Sequence, residues 1–500
     1  MDSNISMNVA LLPESTNSEE QEENQLPLTA KHVEVDGVPL VFAEVSKAFQ
    51  LAWPLTVYSV AGYAIVVITF MFVGRHGGEL ELSSAAIAGS FSAVTGFSVT
   101  VGLASTMETL CGQAYGAKKY HMLGVYMQAG WIVGLAVSVL VMILWLNMES
   151  VLKAVGQDPQ IARMAAEYLR YTMPGLFGAA LLQPIVKYLQ SQSVVIPLLV
   201  CSCVAVTFHA VACQLAIVTF NFGFTGGAAA TTTSYLFLLI ILAIYTWGSG
   251  KYRKTWDGFT LEAFHYVGDY VKLALPSTCM MCFEFWTVEL LVLAAGLLPK
   301  PELQVSILTI CLYTTNVAYN VPIGLSAAVS TRVSNELGAF RPAAAKLSGK
   351  VILAISICCA ICIASSMVIF RHVLGKAFST IEEVVLGVAS LMPLVALSSI
   401  FDGIQGVLSG IARGCGRQDI GAIINLTAFY IVGLPCGLFL GFMQQMNVKG
   451  LWMGYLVGQL MQTLLLVLLV ATTNWNKMAE AALRRVHADP LLPTSDTSEQ

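Results

Sequence analysis

The sequence predicts an all-α protein that crosses a membrane many times. Composition, a series of long apolar stretches and an internal repeat carry that prediction. The chain has 500 residues, 56% of them hydrophobic and only 11% charged. A soluble domain carries roughly 25% charged residues, so a water-soluble globular enzyme is excluded. The net charge is −4, and the 26 Lys and Arg form no dense basic block. Nucleic-acid binding, which rests on neutralising phosphates, has no footing here.

Twelve apolar stretches are about as long as the ~20 residues that span a bilayer. They cover residues 48–73, 84–107, 123–146, 168–190, 194–218, 224–247, 268–297, 304–331, 350–372, 384–411, 419–443 and 447–473. In lipid each must be a helix, because only a helix pairs every backbone group within its own segment. Residues 1–46 read as a polar cytosolic tail with no cleavable signal peptide, and residues 476–500 as a second tail. With both termini in the cytosol, 18 of the 26 Lys and Arg fall on the cytosolic side, the bias that sets orientation. The Asn4 and Asn425 sequons lie outside the predicted external loops.

The repeat is the most informative feature. A shift of 222 residues lays Leu51-Ala52-Trp53-Pro54-Leu55-Thr56 on Leu273-Ala274-Leu275-Pro276-Ser277-Thr278. The same shift lays Gly102-Leu103 on Gly324-Leu325, Thr109 on Thr331, and Gly116-Ala117 on Gly338-Ala339. A shift of 219 lays Met173-Pro174 on Met392-Pro393, and one of 223 lays Gly227 on Gly450. Six helices per copy give both copies one orientation in the membrane, so the axis relating them runs along the membrane normal. The expected architecture is two six-helix lobes, 47–247 and 268–475, joined by a cytosolic linker over 248–267, with a cavity between them.

Buried charge breaks the repeat. Glu284 corresponds to Gly62, Glu289 to Val67, and Asp402 to Gln183. A charge at the middle of a membrane helix costs about 2.5–3.5 kcal/mol, so its default reading is functional. The plainer alternative is a protonated acid hydrogen-bonded between helices. Glu284 and Asp402 are therefore the candidate proton-coupling residues. Glu289 and Gln183 are candidates for coupling or substrate contact. Glu284 and Glu289 are separated by about 140° on a regular helix, so they do not share a face. A buried carboxyl that takes a proton loses its desolvation cost, and the anion it leaves attracts a cation. Competition of a proton and a substrate for one charge is antiport in its simplest form. One pH unit supplies about 1.4 kcal/mol per proton.

Other residues are read more plainly. Phe285, Trp286, Tyr313, Asn316 and Tyr319 are candidate cavity-lining residues, among which aromatic rings would stack flat organic cations. His209 reads as a hydrogen-bonded core histidine, and Pro54, Pro174, Pro276 and Pro393 as helix kinks. Most of the twelve cysteines sit in apolar runs and act as small hydrophobes. The Cys279–Cys282 pair lacks polar neighbours for metal or redox chemistry. No catalytic constellation, metal site or cofactor is expected.

Two motifs at matching repeat positions resemble the signatures of the multidrug and toxic compound extrusion (MATE) family. They are Glu108-Thr109-Leu110-Cys111-Gly112-Gln113-Ala114-Tyr115-Gly116-Ala117 and Arg332-Val333-Ser334-Asn335-Glu336-Leu337-Gly338-Ala339. Gly410-Ile411-Ala412-Arg413-Gly414-Cys415-Gly416 and Asn474-Trp475 are similar as well, and the spelling looks most like the plant detoxification subgroup. Glu108, Gln113, Arg332, Asn335 and Glu336 are the signature residues expected on the cytosolic side, Glu108 as an ion pair at a helix end or between lobes. The resemblance implies a V-shaped two-lobe exporter of organic compounds driven by protons or sodium. It also implies an acidic pair in the C-terminal lobe, matching Glu284 and Asp402. Some animal relatives carry a further acid in the eighth helix, where this chain has Thr314, Thr315 and Asn316.

The expected function is a proton-coupled antiporter exporting secondary metabolites or xenobiotics, with a sodium-coupled exporter or a lipid flippase as alternatives. The expected setting is a monomer in the vacuolar or plasma membrane. Its partners are a small organic substrate, protons and the lipid bilayer.

Overall fold

The computed structural model describes residues 38–154, 156–250 and 252–487. Their architecture is all helical. The long helices are α1 (Val38–His76), α2 (Glu79–Gly116), α3 (Met122–Leu146), α4 (Pro159–Ser191), α5 (Ile196–Thr219) and α6 (Gly223–Gly248). After a linker come α7 (Val267–Ala295), α8 (Pro301–Gly338), α9 (Pro342–Ile369), α10 (Glu382–Cys415), α11 (Gln418–Met443) and α12 (Asn447–Ala471). A shorter amphipathic helix, α13 (Trp475–His487), ends the described chain.

Ten of the twelve long helices α1–α12 are long and apolar enough to cross a membrane. The other two are α4 and α8. Their length suffices, but α4 carries Arg163, Glu167, Arg170 and Lys187, and α8 carries Glu302, Arg332 and Glu336. Lys187, Arg332 and Glu336 are held in ion pairs within the bundle, whereas Arg163, Glu167, Arg170 and Glu302 are exposed towards the opposite helix ends.

Two expected boundaries move. The tail expected over 1–46 is helical from Val38, and the tail expected from 476 is helical to His487. In both places a residue is drawn into the bundle, Glu44 at one end and Arg485 at the other. Residues 1–37 and 488–500 lie outside the described residues.

Local signals account for the helix ends. Asp158 caps α4, its carboxylate accepting from the Gln160 and Ile161 amides at 2.8 and 3.2 Å, with Pro159 at the first helical position. Gly416 ends α10 at φ 74°, a left-handed cap that costs glycine nothing. Pro54, Pro276 and Pro393 all lie within their helices.

Short turns join successive helices, so one end of the bundle, the linker end, gathers the turn at 117–121, the linker and α13. Here a single apolar core runs through both halves, from Leu51, Met107 and Leu189 to Val329, Leu408 and Ala482. At the opposite end the core is double. Trp145, Leu169 and Phe224 belong to one cluster, and Leu308, Met392 and Trp452 to another. The halves are thus fused at the linker end and separately cored at the other.

Reciprocal contacts run along the seam. A methyl on Gly116 would lie 2.0 Å from the Asn335 carbonyl oxygen, and one on Gly338 would lie 2.1 Å from that of Gln113. Gly116 and Gly338 are repeat equivalents, as are Gln113 and Asn335. In the same way Gly102 abuts Thr278, and Gly324 abuts Thr56. Each contact is matched by its partner under exchange of the halves, the mark of a two-fold interface. Glycine is required because backbone meets backbone.

Candidate functional site

Two of the three carboxyls that break the repeat, Glu284 and Asp402, lie in a polar pocket of the second half. Glu284, on α7, accepts from the Tyr319 hydroxyl of α8 at 2.7 Å and from the Gln405 side-chain amide of α10 at 2.9 Å. Asp402, also on α10, is 4% exposed. It accepts from the Gln459 amide of α12 at 2.5 Å, and the Gln459 oxygen in turn accepts from Ser398. Tyr319 and Asp402 border a cavity of about 10 Å³, closed by Ala318, Pro322, Ala360, Ile363 and Ser399. That is room for one water. Tyr319 thus touches one carboxylate and shares a cavity with the other.

An amide network extends the site. Gln462 of α12 donates to the Gln405 oxygen at 3.1 Å and to the Asn425 oxygen at 2.9 Å, and Asn425 of α11 donates to the Met280 carbonyl of α7 at 2.8 Å. Four helices are tied together by side-chain amides. Asn425 is fully buried here. Gln405, Gln459, Gln462 and Asn425 are absent from the sequence-predicted site. Their signal was an amide within an apolar membrane helix, where a polar side chain needs an interhelical partner.

Sequence-predicted residues divide. Glu289 faces away from the pocket and accepts from Ser90 of α2 at 3.3 Å. Gln183 lies on α4 in the first half, and among the described residues no hydrogen bond joins it to Glu284 or Asp402. Among Phe285, Trp286, Tyr313, Asn316 and Tyr319, only Tyr319 borders the small cavity. The Trp286 indole donates across the seam to the Val94 carbonyl at 3.0 Å. Phe285 and Asn316 are exposed, and Tyr313 stacks on Phe378 with ring centres 6.5 Å apart.

The signature residues gather at the linker end of the seam. Glu108 of α2 accepts from Lys187 of α4 at 2.5 Å and from Arg413 of α10 at 3.0 Å. Lys118 and Lys119, its near neighbours in sequence, are exposed beyond the helix end. Arg332 of α8 grips Glu44 of α1 with two bonds of 2.9 Å and also meets Glu336 at 2.9 Å. Glu44 was missed because it lay within the segment read as tail. Gln113 donates to the Gly414 carbonyl at 3.2 Å and accepts from Arg485 of α13 at 3.1 Å. Asn335 donates to the Ser191 carbonyl at 3.0 Å.

The first half carries a neutral counterpart. His209 of α5 is fully buried, within 3.0 Å of the Thr69 hydroxyl and 2.9 Å of the Ser234 hydroxyl. Cys282 lies 3.7 Å from Ser98, in the contact between α7 and α2.

A bundle of apolar helices, fused at one end, separately cored at the other and holding buried carboxylates, is the architecture of a membrane transporter. The MatE family model matches residues 54–215 and 276–439, two copies that begin 222 residues apart. The chain belongs to the MatE family. It is 45% identical over 443 residues to Protein DETOXIFICATION 17 of Arabidopsis thaliana, covering 89% of this chain and 93% of the relative. It is 44% identical to Protein DETOXIFICATION 16 of the same plant, covering 89% and 91%. The crystal structure of the eukaryotic MATE transporter AtDTX14 superposes with a TM-score of 0.87 at 40% identity, covering 89% of this chain and all of that one. An outward-facing multidrug resistance MATE transporter of the MOP superfamily superposes at 0.76 with 16% identity, a likeness of fold. The protein is therefore a MATE transporter of the detoxification type, an integral membrane protein acting on small molecules.

Proposed function

We propose that this chain is a proton-coupled antiporter that exports organic compounds, plant secondary metabolites or xenobiotics, from the cytosol. One observation carries the reading. Glu284 and Asp402 are held in one pocket by donors from α8, α10 and α12, where the first half offers Gly62 and Gln183. The partners of the two carboxylates, Tyr319, Gln405 and Gln459, are O–H or N–H donors. Sodium would instead need several oxygens aimed at it; here donors already occupy carboxylate oxygens, and it is burial away from water that favours taking up a proton.

In the cycle, Glu284 and Asp402 take protons from the side opposite the linker, α7 and α8 rearrange, and substrate is released. Two lobes, 47–247 and 268–475, move about the 248–267 linker. The lysine and arginine bias puts the linker end in the cytosol, so the fused seam corresponds to an outward-facing state. The chain acts as a monomer in the vacuolar or plasma membrane.

The test is uphill transport in vesicles under a fixed pH gradient, comparing Glu284→Gln and Asp402→Asn with the parent chain. Loss of accumulation in both supports the reading, and parental accumulation in both overturns it. Replacing sodium at constant pH leaves transport unchanged if the proton is the driver.

A further inference from the structure

Arg413 stands where the coupling pocket meets the seam. It lies on α10, 11 residues beyond Asp402. On an α-helix that spacing is about 16 Å of axial distance and leaves the two side chains about 20° apart in direction. Its guanidinium is 10% exposed and reaches across the seam to Glu108, itself 3% exposed. Its other bond, at 2.8 Å, goes to Ser326 of α8, and the Ser326 hydroxyl donates to the Gly406 carbonyl at 2.5 Å. One helix thus carries Asp402, Gln405 and the cation that closes the seam.

That helix packs closely on α8. A methyl on Gly410 would lie 2.5 Å from the Ser326 carbonyl oxygen, and one on Gly414 would lie 3.0 Å from that of Ser330. Gly406 packs on Pro322 one turn further along. Ser326, Val329 and Val333 of α8 pack against the side-chain-free face that these glycines leave on α10, so the two helices meet closely along the stretch between Asp402 and Arg413. At its end, Gly416 has no room for a Cβ because Arg485 of α13 fills that space.

We propose that the Glu108–Arg413 pair is the linker-end gate of the transport cycle and that α10 is the rod that operates it. Arg413 is a positioning residue in this scheme, touching neither substrate nor coupling proton. A shift of α10 that follows protonation of Asp402 withdraws the guanidinium from Glu108 and admits water to the seam. The charged and titratable groups facing the gate are Lys187 from α4, Glu108 from α2 and, by longer-range attraction, Glu284 from α7. Those facing Asp402 are Glu284, Tyr319 and Tyr455. This inference rests on the proton-coupling reading above.

The experiment reads the seam directly. Ser334 is fully buried against Gly112. In a Ser334→Cys chain, labelling by a membrane-impermeant maleimide from the linker side reports opening. With Arg413 present, labelling is slow and pH-dependent, and Asp402→Asn abolishes the pH dependence. Arg413→Gln leaves the Glu108–Lys187 pair intact, so the first half keeps its own contacts. In that variant labelling rises at least about tenfold and no longer varies with pH, since removing one partner of a buried pair is strongly unfavourable to the closed form. Uphill accumulation is lost while downhill substrate flux persists. Slow labelling in Arg413→Gln, or labelling that keeps the parental pH profile, overturns the gate. So does pH-independent labelling in the Ser334→Cys chain itself, a measurement that needs no Arg413 variant to fold. If Glu284→Gln and Asp402→Asn keep uphill transport, the proton reading fails instead. If they lose it while Arg413→Gln labels like the parent, only the gate fails.

Discussion

The two halves share an architecture and differ in what they bury. In the first half, His209 sits among Thr69, Thr231 and Ser234, a cluster that links α5, α1 and α6 with neutral hydroxyls. In the second half, Glu284 and Asp402 sit among Tyr319, Gln405 and Gln459. The first cluster pairs its buried groups, whereas in the amide network beside the second the Gln462 side-chain oxygen has no partner among the described residues. The first closes on itself and can serve stability alone. The second holds carboxylates, whose partners must adjust when a proton comes or goes. On the proposed reading, the duplicated fold assigns scaffolding to one copy and energy coupling to the other without changing its helices.

The largest test of this contrast is Asp402→Asn, expected to lower proton-driven accumulation by at least about tenfold, the drive that one proton gains from one pH unit. Flux assays in vesicles measure it, and unchanged accumulation would place coupling elsewhere. Next is the seam that both halves share. Gly116→Ala drives a methyl into the Asn335 carbonyl and is expected to cost about 1–3 kcal/mol, the scale of overpacking. A lowered melting temperature in detergent reports it, and an unchanged one would show a looser seam. For the neutral cluster, His209→Gln is expected to destabilise by about 1–2 kcal/mol through lost hydrogen bonds while the pH profile of transport stays parental. A shifted profile would give the first half a share in coupling.

The smallest effect lies outside the membrane segments. His121 bonds Glu262 at 2.8 Å and Asp257 at 3.2 Å, clasping the linker to the turn after α2. The Glu262 carboxylate, with Asp257, holds the imidazolium to a pH above its ordinary value of 6.5. A raised pKa in the folded state means the clasp is complete below the ordinary value and is lost as pH climbs through the raised one. Amide exchange over residues 255–265 should therefore quicken with rising pH in the parent chain, and His121→Gln should flatten that response.

Much of the fold was legible. Apolar length identified the membrane helices, α4 and α8 included, through the stretches 168–190 and 304–331. The repeat pointed to Gly116, Gly338, Gln113 and Asn335, and their reciprocal contacts follow from its shift. The site was legible in its acids. Glu284 and Asp402 stood out because an acid in an apolar helix is costly wherever it points. Glu289 carried the same signal and turned out to face Ser90. Helical spacing separates two faces without saying which one looks inward.

Gln405, Gln459, Gln462 and Asn425 were harder. A single amide in a long helix has many uses, and only packing from α7, α10, α11 and α12 brings these four together. Glu44 and Arg485 were hidden for another reason. Each lies in a segment polar enough to read as tail; Glu44 is buried and Arg485 half-buried because a partner across the seam takes its charge or its donors.

Composition, helix length and the duplication were thus settled by the chain alone, since hydrophobicity and periodicity act residue by residue along the sequence. Which buried groups meet, and that Glu108 finds Arg413 rather than the lysines beside it, was decided by tertiary structure. Hydrogen bonds and ion pairs depend on distances of about 3 Å, and those distances exist only once the helices have packed.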